Sequence, residues 1–417
     1  MAHKISKQPW KASSTPTVFD LFAGCGGLSE GLSRAGFNVG WANEFWKSAA
    51  ATYRLSHRKA LLFEDDAKIL LEKAINRGPG LPLPGEVDLL VGGPPCQGFS
   101  GFNRHRRPSD PRNSMVDVFL GFVQHLKPRL VLMENVPGIL TLDEGHLAEL
   151  LLSSFYDLGY SCKVGLLQAG YYGLPQNRWR TFIIASAEGV LLPNFPAPTH
   201  NFDRVIIHGS GKFKVSPHII TPQSYSDSDL NLAPRVTVGD AISDLPFIKT
   251  ADRNGKCEYV SSPLSIYQHD LREGSVGVTD HVCPKVEAIT MKRISAVPYT
   301  LGAGWLDLPD HLKPENLKRH GDGRYPNRYG RLHYDGVFNT ILSRPHPYWS
   351  RIIHPKEDRL VSVRECARAQ GFDDSYAFCG TISDKYKQVG NAVPPLVSFK
   401  VGQELMRSFG AVNVTKQ

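Results

Sequence analysis

Cys96 is the residue best placed to do chemistry. It lies in Gly92-Gly93-Pro94-Pro95-Cys96-Gln97-Gly98-Phe99-Ser100, directly after the apolar run Val87-Asp88-Leu89-Leu90-Val91, which reads as a buried strand. Proline fixes φ and lacks a backbone donor, so a Gly-Gly-Pro-Pro turn cannot relax into a helix. The thiol is thereby presented at a strand tip instead of being packed in a core, as a nucleophile must be. Two other residue types recur at strand ends. Glu134 closes the apolar run Leu130-Val131-Leu132-Met133, and Arg178 and Arg180 open another strand in Gln176-Asn177-Arg178-Trp179-Arg180. Each has a plainer reading alone: an inert buried thiol, a capping or ion-paired acid, a solvated basic face. Their recurrence at one edge lowers those readings, because doubly wound sheets bind ligands at the carboxyl ends of their strands.

A thiolate, a carboxylic acid and a cation are what methylation of cytosine carbon 5 requires. That carbon is a poor nucleophile until a thiolate adds to carbon 6 and turns the ring into an enamine. An acid near ring nitrogen 3 neutralises the charge that develops there, and a cation steadies the ring carbonyl. Cys96, Glu134 and Arg180 supply one of each. The base that removes the carbon 5 proton is not named by the sequence.

A second constellation describes a nucleoside pocket. Phe22-Ala23-Gly24-Cys25-Gly26-Gly27 ends the first strand in a glycine-rich turn that opens a helix, where backbone can approach a ligand closely. Glu44 follows Gly24 by 20 residues, the offset at which an acid reaches ribose hydroxyls. Asp65-Asp66 follows the third strand. The full G-x-G-x-x-G pattern is missing, which disfavours a pyrophosphate-bearing dinucleotide and favours a nucleoside without phosphates such as S-adenosylmethionine.

These residues need a scaffold, and the patterning supplies one. Strands are expected over 17–22, 38–42, 61–63, 87–91, 130–133, 162–167 and 180–185, with helices over 28–35, 45–55, 67–75, 116–125 and 147–158. Regular alternation of this kind predicts an α/β fold with a doubly wound, mostly parallel sheet. After Pro193 the chain turns rich in Pro, Gly, His, Ser and Asp, with no helical or strand period, which predicts a second, smaller and irregular domain. Helical patterning returns at 363–370 and 396–409, the last segment able to pack back on the sheet. The expected organisation is a disordered lead-in over 1–16, a catalytic and cofactor domain over 17–190 joined by 380–417, and a second domain over 191–379.

Composition narrows the classes. The chain has 417 residues, 41% hydrophobic and 21% charged, ordinary for a globular protein. No apolar run approaches the ~18 residues of a membrane span, and the N-terminus has no secretory pattern. Seven scattered cysteines lack metal-ligand spacing, so neither a disulfide framework nor a metal is expected. A net charge of +8 fits a polyanionic partner.

In its motifs the chain resembles the DNA (cytosine-5)-methyltransferases. The matches, in family order, are Asp20-Leu21-Phe22-Ala23-Gly24-Cys25-Gly26-Gly27, Gly93-Pro94-Pro95-Cys96-Gln97-Gly98-Phe99-Ser100, Glu134-Asn135-Val136, Gln176-x-Arg178-x-Arg180, Arg364-Glu365-Cys366-Ala367-Arg368 and Gln388-Val389-Gly390-Asn391-Ala392-Val393-Pro394-Pro395. Three further stretches are similar to the catalytic region of eukaryotic maintenance-type enzymes and, secondarily, to plant chromomethylases: 236–246, 329–336 and 359–372. The resemblance implies a Rossmann-like domain using S-adenosylmethionine and a target-recognition domain. It makes Cys96 the nucleophile, Glu134 the contact to ring nitrogen 3, Arg180 the contact to the ring carbonyl and Arg178 a supporting member of the catalytic set. The cofactor would touch Phe22, Gly24, Cys25, Gly26, Gly27, Glu44, Phe45, Asp66, Ala67, Pro95, Met115, Asn391 and Val393. Double-stranded DNA would touch Gln97, Ser100, Arg104, Arg106, Arg107, Arg324, Tyr325, Arg328 and Trp349, residues 98–112 forming a loop that closes over it.

The implied partner is therefore duplex DNA, with no membrane role, a monomeric catalytic unit, and room for a regulatory or targeting protein. Action would be nuclear, or cytoplasmic if the source is bacterial. Two other readings stay open: a transfer-RNA cytosine-5 methyltransferase on the same scaffold, and an idle DNA-binding scaffold. The first is disfavoured by Pro95-Cys96-Gln97-Gly98-Phe99-Ser100, which differs from the Pro-Cys-Gln-Pro-Phe-Thr of that branch. The second is disfavoured by the intact Cys96, Glu134 and Arg180. A nicotinamide dehydrogenase is more distant still.

Overall fold

Apolar runs long enough to be buried on both faces organise the first half of the chain. β1 (Thr17–Leu21), β2 (Asn38–Asn43), β3 (Leu61–Phe63), β4 (Leu89–Gly92) and β5 (Leu130–Asn135) pair parallel with one another. All residues of β4 and β5 are buried, as expected of a parallel sheet covered on both sides. β6 (Tyr160–Gln168) and β8 (Trp179–Ala187) form an antiparallel pair beside β5, with the short β7 (Gln176–Asn177) between them in sequence and β9 (Ile219–Ile220) at the edge. The eight-stranded order is β3-β2-β1-β4-β5-β8-β6-β9. The computed structural model describes residues 15–95, 114–202, 219–225, 231–250, 255–319 and 325–411.

The chain order reverses between β1 and β4, which pair through Leu21 and Gly92. A crevice opens at such a switch point, at the carboxyl ends of the strands. The glycine-rich turn leaves β1 there, and the Pro-Pro turn leaves β4 beside it. Gly92 is required at this contact, since a Cβ on it would stand 2.5 Å from the Leu21 carbonyl oxygen.

α1 (Gly27–Arg34), α2 (Lys47–Ser56), α3 (Ala67–Ile75), α4 (Ser114–Leu126) and α5 (His146–Asp157) follow the expected alternation. The second region is less irregular than its composition implies. It contains α6 (Val238–Ile242), α7 (Ile266–Arg272), α8 (Ala288–Ala296) and α9 (Glu315–Lys318), with β10 (Gly330–Arg331), β11 (Phe338–Asn339) and β12 (Arg351–Ile353). These elements are too short to print a period. α6 is started by a capping box, in which Thr237 and Asp240 satisfy each other's backbone N–H groups. Their apolar residues join one core with Trp305, Tyr329, Ile353 and Val361, continuous with Cys366, Tyr386 and Val389 of the helices that follow and with Cys25.

Those helices are α10 (Val363–Ala369), α11 (Ile382–Asn391) and α12 (Pro395–Ala411). α12 does return to the first domain, packing on α1. Gly31 lets it approach, because a Cβ there would stand 2.1 Å from Ser398 Oγ; the Ser398 hydroxyl donates to the Gly27 carbonyl at 3.0 Å.

A buried ionic cluster joins α6 to α10. Arg368 is fully buried and donates to Asp244 at 2.5 Å and to Asp374 at 2.6 Å. Removing one partner of such a pair strands a buried charge and costs about 3–5 kcal/mol. Asp244→Ala should therefore lower unfolding free energy by about that amount, read as a shift in the urea midpoint. A shift below 1 kcal/mol would mean that the cluster rearranges at little cost.

Candidate active site

The turn after β1 is built on left-handed backbone. Phe22 has φ 58°, Gly24 φ 59° and Gly26 φ 93°. A bulky residue in that region is strained, a conformation that clusters at functional sites. Glu44, just beyond β2, holds the turn: Oε2 accepts from the Gly24 amide at 2.8 Å and Oε1 from the Trp46 amide at 2.7 Å. Burial pushes its carboxyl up; the two amides and the Lys387 ammonium pull it back down. The carboxylate is thus anchored by backbone while its remaining lone pairs stay free. Beyond β3, Asp66 caps α3, its Oδ1 accepting from the Lys68 amide at 2.8 Å. Asn43 donates to the Phe63 and Asp65 carbonyls at 3.1 and 2.9 Å, fixing the ends of β2 and β3 together.

Glu134 sits near the end of β5, paired across to Phe182 of β8. The antiparallel return of β8 brings Arg180 alongside, with Nε 3.0 Å from Glu134 Oε1. Burial raises the Glu134 carboxyl, and the charges of Arg180 and Arg178 lower it. The β4 turn closes on this pair. A Cβ on Gly93 would come within 3.0 Å of Glu134 Oε2, and Asn135 Nδ2 donates to the Pro94 carbonyl at 3.2 Å.

One cavity of about 720 Å³ joins the two ends. Phe22, Gly24, Glu44, Asp66 and Met115 line one part; Pro95, Glu134 and Arg180 line another. Its volume is that of a small-molecule pocket. A nucleoside at the Glu44 end would leave the Glu134–Arg180 end for a second planar ring.

Comparison with known proteins follows this geometry. A C-5 cytosine-specific DNA methylase family model matches residues 17–407. The chain belongs to that family. It is 34% identical to DNA (cytosine-5)-methyltransferase 1A of Oryza sativa over 94% of this chain and 28% of that protein. It is 36% identical to DNA (cytosine-5)-methyltransferase 3 of Arabidopsis thaliana over 95% and 31%, and 34% identical to DNA (cytosine-5)-methyltransferase 1 of Mus musculus over 97% and 29%. The chain thus spans less than a third of the length of these curated relatives. The fold is shared with a DNA modification methyltransferase encoded within an E. coli prophage, at TM-score 0.67 and 23% identity over 95% of this chain and all of that one. It is shared also with the S. pombe Dnmt2 methyltransferase, at TM-score 0.52 and 16% identity over 94% and 99%.

Within this methylase fold the expected cofactor residues divide in two. Phe22, Gly24, Cys25, Glu44, Phe45, Asp66, Ala67, Pro95, Met115, Asn391 and Val393 line the cavity. Gly26 and Gly27 do not. A Cβ on Gly26 would collide with His57, and one on Gly27 would stand 2.3 Å from the Val393 carbonyl oxygen, so both glycines serve close packing behind the turn. Cys25 lines the cavity, but burial pushes its thiol up to about 12, leaving it neutral. It does not compete as a nucleophile.

Arg178 is also placed differently from expectation. It is 1% exposed and turned from the cavity, donating to the Gly390 and Ala392 carbonyls at 3.1 and 2.8 Å. It ties the start of β8 to the end of α11 and so positions Asn391 and Val393; it does not face a substrate ring. Among the DNA candidates, Arg328 is buried and its guanidinium lies 3.9, 4.2 and 5.2 Å from the rings of Tyr325, Tyr348 and Trp349. Arg328 therefore stiffens an aromatic cluster, and Trp349, 52% exposed, forms its outer face. Cys96, Gln97, Ser100, Arg104, Arg106, Arg107 and Arg324 lie outside the described residues.

The cavity has lining residues that the sequence reading missed: Asp20, Trp46, Asn135, Ser343 and Lys387. Trp46 could have been found by its position two residues after Glu44, and Lys387 by its place before the Gln388-Val389-Gly390-Asn391 motif. Asp20 and Asn135 stand inside motifs quoted above without a role assigned to them, whereas Ser343 lies in a segment with no pattern and carried no local signal. The described cysteines are all free, and among the described residues no cluster of His, Cys, Asp and Glu could hold a metal. No described helix is long and apolar enough to cross a membrane.

Proposed function

We propose that this chain transfers a methyl group from S-adenosylmethionine to carbon 5 of a cytosine flipped out of duplex DNA. The observation that carries this reading is the single cavity shared by the Glu44-anchored turn and the Glu134–Arg180 pair. It supports two ligands meeting at one point. The residues fit the cofactor: Glu44 offers a carboxylate to ribose hydroxyls, and Asp66 and Phe22 border the nucleoside end. When bound, S-adenosylmethionine supplies an electrophilic methyl on sulfonium.

The chain's own residues would do the rest. The Cys96 thiolate forms a bond to carbon 6, and the ring's electron pair moves toward carbon 5. Glu134 holds a proton at ring nitrogen 3 while that charge develops. Arg180 holds the ring carbonyl and keeps Glu134 in place. Once carbon 5 has taken the methyl, a base removes its proton, that electron pair re-forms the 5,6 double bond, and the carbon–sulfur bond breaks to return the thiolate. The reacting carbon is shielded inside a duplex, so the base must be flipped, at about a few kcal/mol of lost stacking. The exposed Trp349 face is a candidate contact for the surrounding DNA, and nuclear action fits the eukaryotic relatives.

The direct test is transfer of labelled methyl to matched unmethylated and hemimethylated duplexes, with a transfer-RNA control and base-resolution readout. Label on DNA cytosine is the expected result, and the ratio between duplexes separates maintenance from de novo action. Label on RNA alone would replace this substrate with the runner-up, and none anywhere would leave an idle scaffold. For the cofactor end, Glu44→Ala removes charge-assisted hydrogen bonds worth about 1.5–3 kcal/mol. It should weaken S-adenosylmethionine binding by roughly 10- to 100-fold in calorimetry with DNA affinity little changed. Unaltered cofactor affinity would remove Glu44 from the ribose.

A further inference from the structure

Two buried side chains grip the glycine-rich turn from behind, and the proposed mechanism uses neither. Tyr376 comes from the segment between α10 and α11, and His57 from the C-cap of α2. The Tyr376 hydroxyl donates to the Cys25 carbonyl. With its hydrogen on Nε2, the His57 ring donates to the Gly26 carbonyl at 3.2 Å. The two side chains also meet, Tyr376 OH lying 3.3 Å from His57 Nε2. The fit leaves no slack: a Cβ on Gly26 would stand 2.5 Å from His57 Nε2 and 2.9 Å from Tyr376 OH. Glu44 holds the Gly24 amide, so the turn is gripped at three successive residues. It needs that grip. Phe22, Gly24 and Gly26 all have positive φ, and strained backbone persists only where its surroundings over-determine it.

Tyr376 is itself fixed from the second region. Its carbonyl accepts from Arg364 Nη2 at 2.7 Å, and Arg364 Nε donates to the Thr279 carbonyl at 2.9 Å. On either side of it, the Asp374 amide donates to the Leu271 carbonyl of α7 at 2.8 Å and the Phe378 amide to Asp280 Oδ2 at 2.9 Å. Its ring packs against Phe372 and Phe378, with centroids 4.9 and 5.6 Å away. The hydroxyl is therefore presented by a frame that belongs to the second region's core and ends on the backbone of the cofactor turn. We propose that Tyr376, backed by His57, is a positioning residue for methyl transfer that sets the cofactor turn from the frame of the second region. This rests on the S-adenosylmethionine reading above and adds residues that act from outside the cavity. Neither side chain lines the cavity, so each acts through the carbonyl it holds. A turn without this grip samples other shapes when empty, and the reduced population of the binding shape weakens cofactor affinity in proportion. A bound cofactor restores that shape, so the rate at saturation is spared.

The test is Tyr376→Phe and His57→Leu in the whole chain, read by calorimetric titration with S-adenosylmethionine and by steady-state kinetics on duplex DNA. Tyr376→Phe deletes one hydroxyl and keeps the ring contacts. The expected result is a Kd and a KM for S-adenosylmethionine raised roughly 3- to 10-fold, the size of one lost hydrogen bond, with kcat within twofold of wild type. His57→Leu should move the same two constants in the same direction. Amide hydrogen exchange in the unliganded chain should quicken over residues 24–28 and not in β4 or β5. A role in stability alone predicts a different pattern: a lower melting midpoint, with Kd, KM and exchange in the turn at wild-type values. That pattern for Tyr376→Phe overturns this inference alone, whatever His57→Leu does. If Tyr376→Phe does not fold, His57→Leu decides in its place by the same criteria. Absence of any S-adenosylmethionine binding by the wild type overturns the functional reading and this inference with it.

Discussion

The expected result of Cys96→Ser is loss of methyl transfer, on the order of 10⁴-fold or more, with S-adenosylmethionine binding retained. The size follows from the chemistry. Without addition at carbon 6 the ring has no enamine, and a serine hydroxyl is a far weaker nucleophile than a thiolate at neutral pH. The selectivity follows from the structure. The β4 turn is pinned on three sides: Gly92 against the Leu21 carbonyl, Gly93 against Glu134, and Pro94 by the Asn135 amide. Pro95, the residue before Cys96, lines the cavity. None of these contacts involves the thiol, so exchanging sulfur for oxygen should leave the cofactor end intact. Single-turnover transfer of labelled methyl and calorimetric cofactor binding are the two measurements. Turnover above about one per cent of wild type is incompatible with a covalent role for Cys96.

What the sequence made legible follows from the range over which each signal acts. Strand and helix periods are local, and the buried sheet was readable because β4 and β5 are apolar throughout. The Glu44 offset was readable because one strand–helix–strand unit separates it from Gly24, and the carboxylate does meet that glycine's amide. Other features depend on contacts between distant segments. Arg178 has the residue type of a catalytic cation, but its direction is set by carbonyls more than 200 residues away. Arg328 has the type of a phosphate contact, but three rings from two segments enclose it. In the second region α6 and α7 start on side-chain caps, and α8 and α9 are held by single residues, Ile294 and Leu317, buried in the shared core, not by a repeating apolar face.

Glu134→Gln should lower kcat by roughly 10²- to 10⁴-fold, the range for loss of a positioned acid, with a much smaller change in cofactor affinity. Glutamine keeps the volume and a carbonyl oxygen for Arg180, but it cannot deliver a proton to ring nitrogen 3. The pH dependence carries a second expectation whose sign is fixed. Burial raises the Glu134 carboxyl above its ordinary value, so the protonated form persists to higher pH than for an exposed glutamate. If that form is the active one, the wild-type rate falls as pH rises through the raised pKa. Arg180 lowers the carboxyl by its charge and hydrogen bond, so Arg180→Met should move this falling limb to higher pH while reducing the maximum rate. Profiles of kcat against pH for wild type, Glu134→Gln and Arg180→Met separate the roles. Glutamine within tenfold of wild type would remove Glu134 as the proton donor. An Arg180→Met limb at the wild-type position would mean that the ion pair at 3.0 Å positions the ring without tuning the acid.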